Sequence, residues 1–169
     1  MRHLLLLLAT CLALVTGPAA QAQAKLKIVS FTADWCSICQ VMDPRMETAL
    51  RYLSDPSIIY DPVDLTLSRS AHDPDRIFFR ANFYRSLEER GIAAIYNGYQ
   101  GYPYTGYSVI LAADTFEPLA CIVGARSTEQ VISLLQTARD TVEQKPAWQR
   151  SSPNNNCPSS FNYLRQPRY

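Results

Sequence analysis

The chain has 169 residues, of which 47% are apolar and 18% charged, and its formal net charge is +1. That length and composition fit one globular domain of ordinary size once a leader is set aside. The near-neutral balance gives no electrostatic case for nucleic acid or an anionic membrane surface as partner.

Residues 1–24 read as a secretory signal peptide. Arg2 supplies the positive start, Leu4 to Val15 the apolar core, and Ala20-Gln21-Ala22 or Ala22-Gln23-Ala24 a small-x-small cleavage site. The apolar run is too short to span a bilayer well, and Gly17 and Pro18 break it. The expectation is an exported, periplasmic or similarly placed protein, in a compartment where disulfides persist.

Leu26 to Phe31 is an apolar run rich in β-branched residues and predicts a strand. From about Cys36 to Leu53 the pattern turns helical, with Val41, Met42, Met46, Ala49, Leu50 and Leu53 on one stripe. Cys36 therefore falls where the strand becomes a helix, and Cys39 one turn inside. Residues three apart there can close a small-ring disulfide. A helix N-terminus offers unpaired N–H groups and the positive end of the macrodipole, both of which favour thiolate over thiol. Cys36 is thus the expected nucleophile, and Cys39, further inside, the resolving thiol. Zinc sites also use this spacing. A zinc reading needs a second ligand pair, and the remaining cysteines and the two histidines are scattered.

The segment Ala33-Asp34-Trp35-Cys36 with Cys39 resembles the active site of the thioredoxin superfamily, and most of all the C-terminal thioredoxin-like domain of the membrane disulfide reductase DsbD. Pro44 matches the proline that kinks the family's active-site helix. Arg90-Gly91-Ile92 and Val123-Gly124-Ala125 are similar to two further family segments, so the resemblance covers about Lys25 to Glu143. It implies an α/β, thioredoxin-like fold with a minimal core: a central mixed sheet of about four strands flanked by helices. It also implies a thiol–disulfide oxidoreductase with no prosthetic group, in which Asp34 and Trp35 shape the surface around Cys36. Protein thiols and disulfides would be its partners, with a membrane disulfide reductase as electron donor. The family usually buries an acid six residues before the first cysteine; here that residue is Ser30. Asp43, one helical turn after Cys39, is the candidate substitute as proton acceptor, against a plain exposed aspartate.

Ser54, Asp55 and Pro56 end the first helix, and Ile58 to Leu65 reads as a strand interrupted by Pro62. Asp73-Pro74 opens a second helix that closes at Arg90-Gly91, with His72 a solvated loop residue before it. Ile92 to Thr105, carrying Tyr96, Tyr99, Tyr102 and Tyr104 among glycines, reads as an inserted Tyr/Gly-rich loop. It either contacts partners or packs on its own domain. Matching back from a strand at Tyr107 to Ala113 sets Tyr107 where the family has its cis-proline. Asp114 to Pro118 reads as a hairpin turn, Leu119 to Val123 as the edge strand, and Ser127 as the start of the last helix. Cys121 reads as a buried free thiol or as the partner of Cys157. Residues 144–169, rich in Pro, Ser, Asn and Gln, read as an irregular or disordered tail after a domain at 25–143.

Two other functions fit the cysteines. One is a Cu(I)-binding module of the same fold. The other is a redox-silent interaction protein whose disulfide only staples the helix start.

Overall fold

The computed structural model describes residues 24–69, 82–98, 105–150 and 157. The signal-peptide reading, the Asp73-Pro74 helix start, His72, and Tyr99, Tyr102 and Tyr104 lie outside them.

Strand β1 (Leu26–Thr32) leads into helix α1 (Ser37–Leu53) and back to strand β2 (Ile58–Asp64). A 3-10 turn, Thr66–Arg69, follows. Residues 82–89 are helical (α2) and Ala93–Gly98 form a short helix α3. Strands β3 (Tyr107–Ala112) and β4 (Pro118–Val123) form a hairpin before helix α4 (Thr128–Gln144). The sheet order is β2-β1-β3-β4, with β1 parallel to β2 and antiparallel to β3. The expected mixed sheet of four strands flanked by helices is present.

Strand β1 organises both sides of the core because its side chains alternate. Leu26 and Ile28 pack with Ile110 and Ile122 against Met42, Met46 and Ala49 of α1 and Val131 and Leu135 of α4. Val29 and Phe31 pack on the opposite face with Val109 and Leu111, beneath Leu87, Ile92 and Ile95. Every residue of β3 is buried, as befits a central strand covered on both faces.

Two expectations change. Pro62 does not interrupt β2, which runs through it in register with Ser30. Strand β2 is at the sheet edge, where a missing N–H costs no ladder bond. The segment from Ile92 is not simply a loop, since Ala93–Gly98 is helical. Ile92, Ile95 and Tyr96 fall at helical spacing, and Gly91, at φ +70°, separates this helix from the one before. Tyr96 packs inward, 5.8 Å from the Phe31 ring and 5.1 Å from Phe83.

Beyond α4 the chain folds back on the hairpin. After the 3-10 turn Ala147–Gln149, the Arg150 guanidinium holds both carboxylate oxygens of Asp114 at 2.6–2.7 Å. Cys157 then forms a disulfide with Cys121 of β4. Of the two readings of Cys121, the structure has the paired one.

Candidate active site

Cys36 is the N-cap of α1, with extended backbone (φ −92°, ψ 105°). Its Sγ accepts the Cys39 backbone N–H at 3.1 Å, filling a role usually taken by a side-chain oxygen. Cys36 and Cys39 form a disulfide with Cα atoms 5.2 Å apart. Cys36 retains 7% of its surface and Cys39 2%. Attack from outside therefore reaches Cys36 first. The Cys39 sulfur faces inward, 3.9 Å from the Phe31 carbonyl oxygen, and that oxygen can accept from the thiol once the bond is reduced. No acidic residue occupies the first turn of α1, so no carboxylate there offsets the pull of the helix terminus on a Cys36 thiolate.

The turn before Cys36 is tied to the 3-10 turn after β2. The Asp34 N–H donates to Thr66 Oγ1 at 3.1 Å, and the Trp35 indole N–H donates to the Thr66 carbonyl at 3.0 Å. Gln40 Nε2 donates back to the Asp34 carbonyl at 2.9 Å. The Arg69 guanidinium lies 3.6 Å from the Trp35 ring centroid.

Asp43 is half-buried and accepts a hydrogen bond from the Thr32 hydroxyl through Oδ2. It thus faces the end of β1, beside the strand residue whose carbonyl the Cys39 sulfur approaches. Ser30, where the family has its buried acid, shares a 2.9 Å hydrogen bond with Ser108 of β3. Burial is the main cause that pushes the Tyr60 phenol of β2 above the ordinary value; the Ser30 hydroxyl also acts on it, favouring a lower pKa, and the negative charges of Asp43 and Glu47 add to the rise. These groups make one polar strip between the sheet and α1. Pro44 lies inside α1, exposed, and removes the N–H that would have bonded the Gln40 carbonyl.

Tyr107 opens β3 and lies in the same buried cluster as Cys36 and Cys39. It is buried, stacks on Phe31 at 4.7 Å between ring centroids, and belongs to the core. Burial drives its phenol far above the ordinary range, with Tyr96 a smaller cause in the same direction. Its neighbour Gly106 comes close to the Cys36 sulfur, and the Gly106 N–H donates to the Phe31 carbonyl at 2.9 Å. A Cβ built there would come within 3.2 Å of Ile38 and 3.5 Å of the Cys36 sulfur, and φ is +81°. Only glycine meets both conditions without strain. Among the described residues there is no cis peptide bond. The sequence signal for Gly106 was weak: a glycine one residue before a buried strand.

Residues 19–75, about a third of the chain, match the thioredoxin family model. The fold is thioredoxin-like. The match supports the thioredoxin superfamily, and together with the disulfide-bonded Cys36–Cys39 pair it supports a thiol–disulfide oxidoreductase. No curated protein matches the chain. Among solved structures it is similar to a thioredoxin-family thiol:disulfide interchange protein from Chlorobium tepidum TLS, with 19% identity, TM-score 0.47, 71% of this chain and 83% of that one covered. StoA from Bacillus subtilis is similar at 18% identity and TM-score 0.43, covering 67% of this chain and 84% of that one. Thioredoxin f2 from Chlamydomonas reinhardtii follows at 14% identity and TM-score 0.40, over 75% and 85%. In this thioredoxin-like frame the cysteines sit at one end of the sheet, where β1 hands over to α1 and β3 begins.

Proposed function

We propose that the chain is an exported oxidoreductase that reduces protein disulfides and receives its electrons from a membrane disulfide reductase. The observation that carries the redox reading is the asymmetry of the pair. Cys36 caps a helix and is the more exposed residue of the two; Cys39 is more deeply buried. In the reduced protein the Cys36 thiolate attacks one sulfur of the partner's disulfide. The partner's other sulfur leaves as thiolate and a mixed disulfide forms. Cys39 then loses its proton and attacks Cys36, releasing the second partner thiol and restoring the Cys36–Cys39 bond. Two electrons pass to the partner, and the membrane reductase returns them. Asp43, through its contact with Thr32, is the nearest reading of the group that takes the Cys39 proton.

The reducing direction is supported by the dipeptide Ser37-Ile38, which has no histidine to stabilise the Cys36 thiolate strongly, and by the likeness to the DsbD domain. Export is supported by the Arg2 to Ala24 pattern, and by a second disulfide, Cys121–Cys157, of the kind that persists outside the cytoplasm. The mature domain would begin near Lys25.

The reduction potential of the Cys36–Cys39 pair tests the direction. A value near about −270 mV is expected, and one near about −120 mV would make the protein an oxidant. Cys36→Ser is expected to abolish insulin reduction. Cys39→Ser is expected to trap mixed disulfides with partners. Traps on Cys36→Ser instead would reverse the two roles.

A further inference from the structure

Beside the cysteine pair stands a cation that the exchange chemistry does not require. The indole of Trp35, immediately before Cys36, is fixed by its bond to the Thr66 carbonyl, and Arg69 is stacked on it at 3.6 Å. Thr66 and Arg69 are the two ends of one 3-10 turn. Turn, indole and guanidinium therefore form a single unit anchored to the strand–helix junction. A guanidinium stacked this closely uses its face and keeps its edge N–H donors for another group. Arg69 is exposed, and among the described residues it forms no ion pair.

The neighbouring surface is apolar in part. Ile38 and Leu67 are 41% and 57% exposed. It is not positively charged overall, because Asp34 and Asp64 are exposed nearby. A long-range field would not favour an anion there; direct pairing with a held guanidinium would.

We infer that Arg69 is a specificity-determining residue that pairs with a carboxylate flanking the partner's disulfide, so the preferred substrates are anionic next to the reacting sulfur. This rests on the oxidoreductase reading above. It concerns substrate choice, and the bond-making steps are those already given: reduced protein plus one disulfide yields oxidised protein plus two thiols.

Pre-reduced protein is mixed in stopped flow with three small disulfides: glutathione disulfide (anionic), hydroxyethyl disulfide (neutral) and cystamine (cationic). Arg69→Gln is expected to slow glutathione disulfide about three- to fivefold, the range of one exposed ion pair. Hydroxyethyl disulfide should stay within about twofold, and cystamine should gain. Arg69→Lys should recover only part of the loss, since a lysine keeps the charge without the bidentate fork. Equal losses on all three disulfides, with or without a lower melting temperature, would mean that Arg69 merely holds Trp35 in place, and the inference would be overturned. No change on any of them would overturn it too. If the wild-type protein reduces none of the three, the oxidoreductase reading itself fails, and this inference with it.

Discussion

Cys36 and Gly106 define how close a substrate can come. The glycine leaves the sulfur open on the side where a proline or any other residue would press. Gly106→Ala adds a methyl that meets Ile38 at 3.2 Å in a backbone region hostile to side chains. It is expected to cost about 1–3 kcal/mol of stability, measured by urea unfolding, and to slow exchange with protein disulfides at Cys36. Unchanged values for both would mean that the loop relaxes freely. Asp43→Asn is expected to slow resolution by Cys39 more than the first attack by Cys36, followed separately by rapid quench. Equal rates for both steps between about pH 6 and 8 would return Asp43 to a structural role on Thr32. Cys36 and Cys39 were legible in the sequence because a thiol pair at a strand–helix junction has one strong chemical reading. Gly106, Thr66 and Arg69 were not. Each acts through a contact made across the fold, and such contacts leave no local pattern. Tyr107 was legible as the start of β3, and it packs in the cluster that holds both cysteines.

The elements are held in place by half-buried charge. Asp61 of β2 receives Lys27 of β1 at 2.9 Å and also pairs with Arg90, which reaches the Pro62 carbonyl at 2.8 Å. Burial raises the Asp61 pKa and is the largest single influence, yet the two cations together hold it below the ordinary carboxylate value. A carboxylate lowered in the folded state contributes stability above its unfolded pKa, about 3.9, and loses it as pH falls through the lower folded value. Asp61→Asn is therefore expected to cost about 1–3 kcal/mol at pH 7, because Lys27 and Arg90 lose their shared partner. Its stability curve should be flatter than the wild type's below about pH 4. Parallel curves there would assign the acid sensitivity to other carboxylates, such as Asp55, which is lowered mainly by its hydrogen bond from Ser57. At this scale the sequence was informative. Periodicity located β1, α1 and α4, and Ser127 does start α4 with a capping box to Gln130. It failed at α3, where six residues ending in the turn-favouring pair Asn97-Gly98 carry too short a pattern to be read as a helix.

For the molecule as a whole, the feature with the longest reach is the Cys121–Cys157 bond. It joins positions 36 apart and encloses α4, while Arg150 inside the loop pairs with Asp114 outside it. Closing a loop of that length removes about 3–4 kcal/mol of unfolded-chain entropy in the simplest treatment. The double variant Cys121→Ser, Cys157→Ser is expected to lose stability on that scale while keeping disulfide exchange at Cys36. Loss of exchange in a still-folded variant would tie the two cysteine pairs together functionally. The connectivity also bears on biogenesis. The four described cysteines permit three pairings. Here each bridge joins sequential neighbours, Cys36 to Cys39 and Cys121 to Cys157. Under the export proposed above, a polypeptide delivered N-terminus first would present Cys36 and Cys39 to an oxidant before the other two exist outside the translocation channel. By the time Cys121 emerged, the earlier thiols would have satisfied each other. In an exported chain that order of arrival would sort the bridges without an isomerase to reshuffle them.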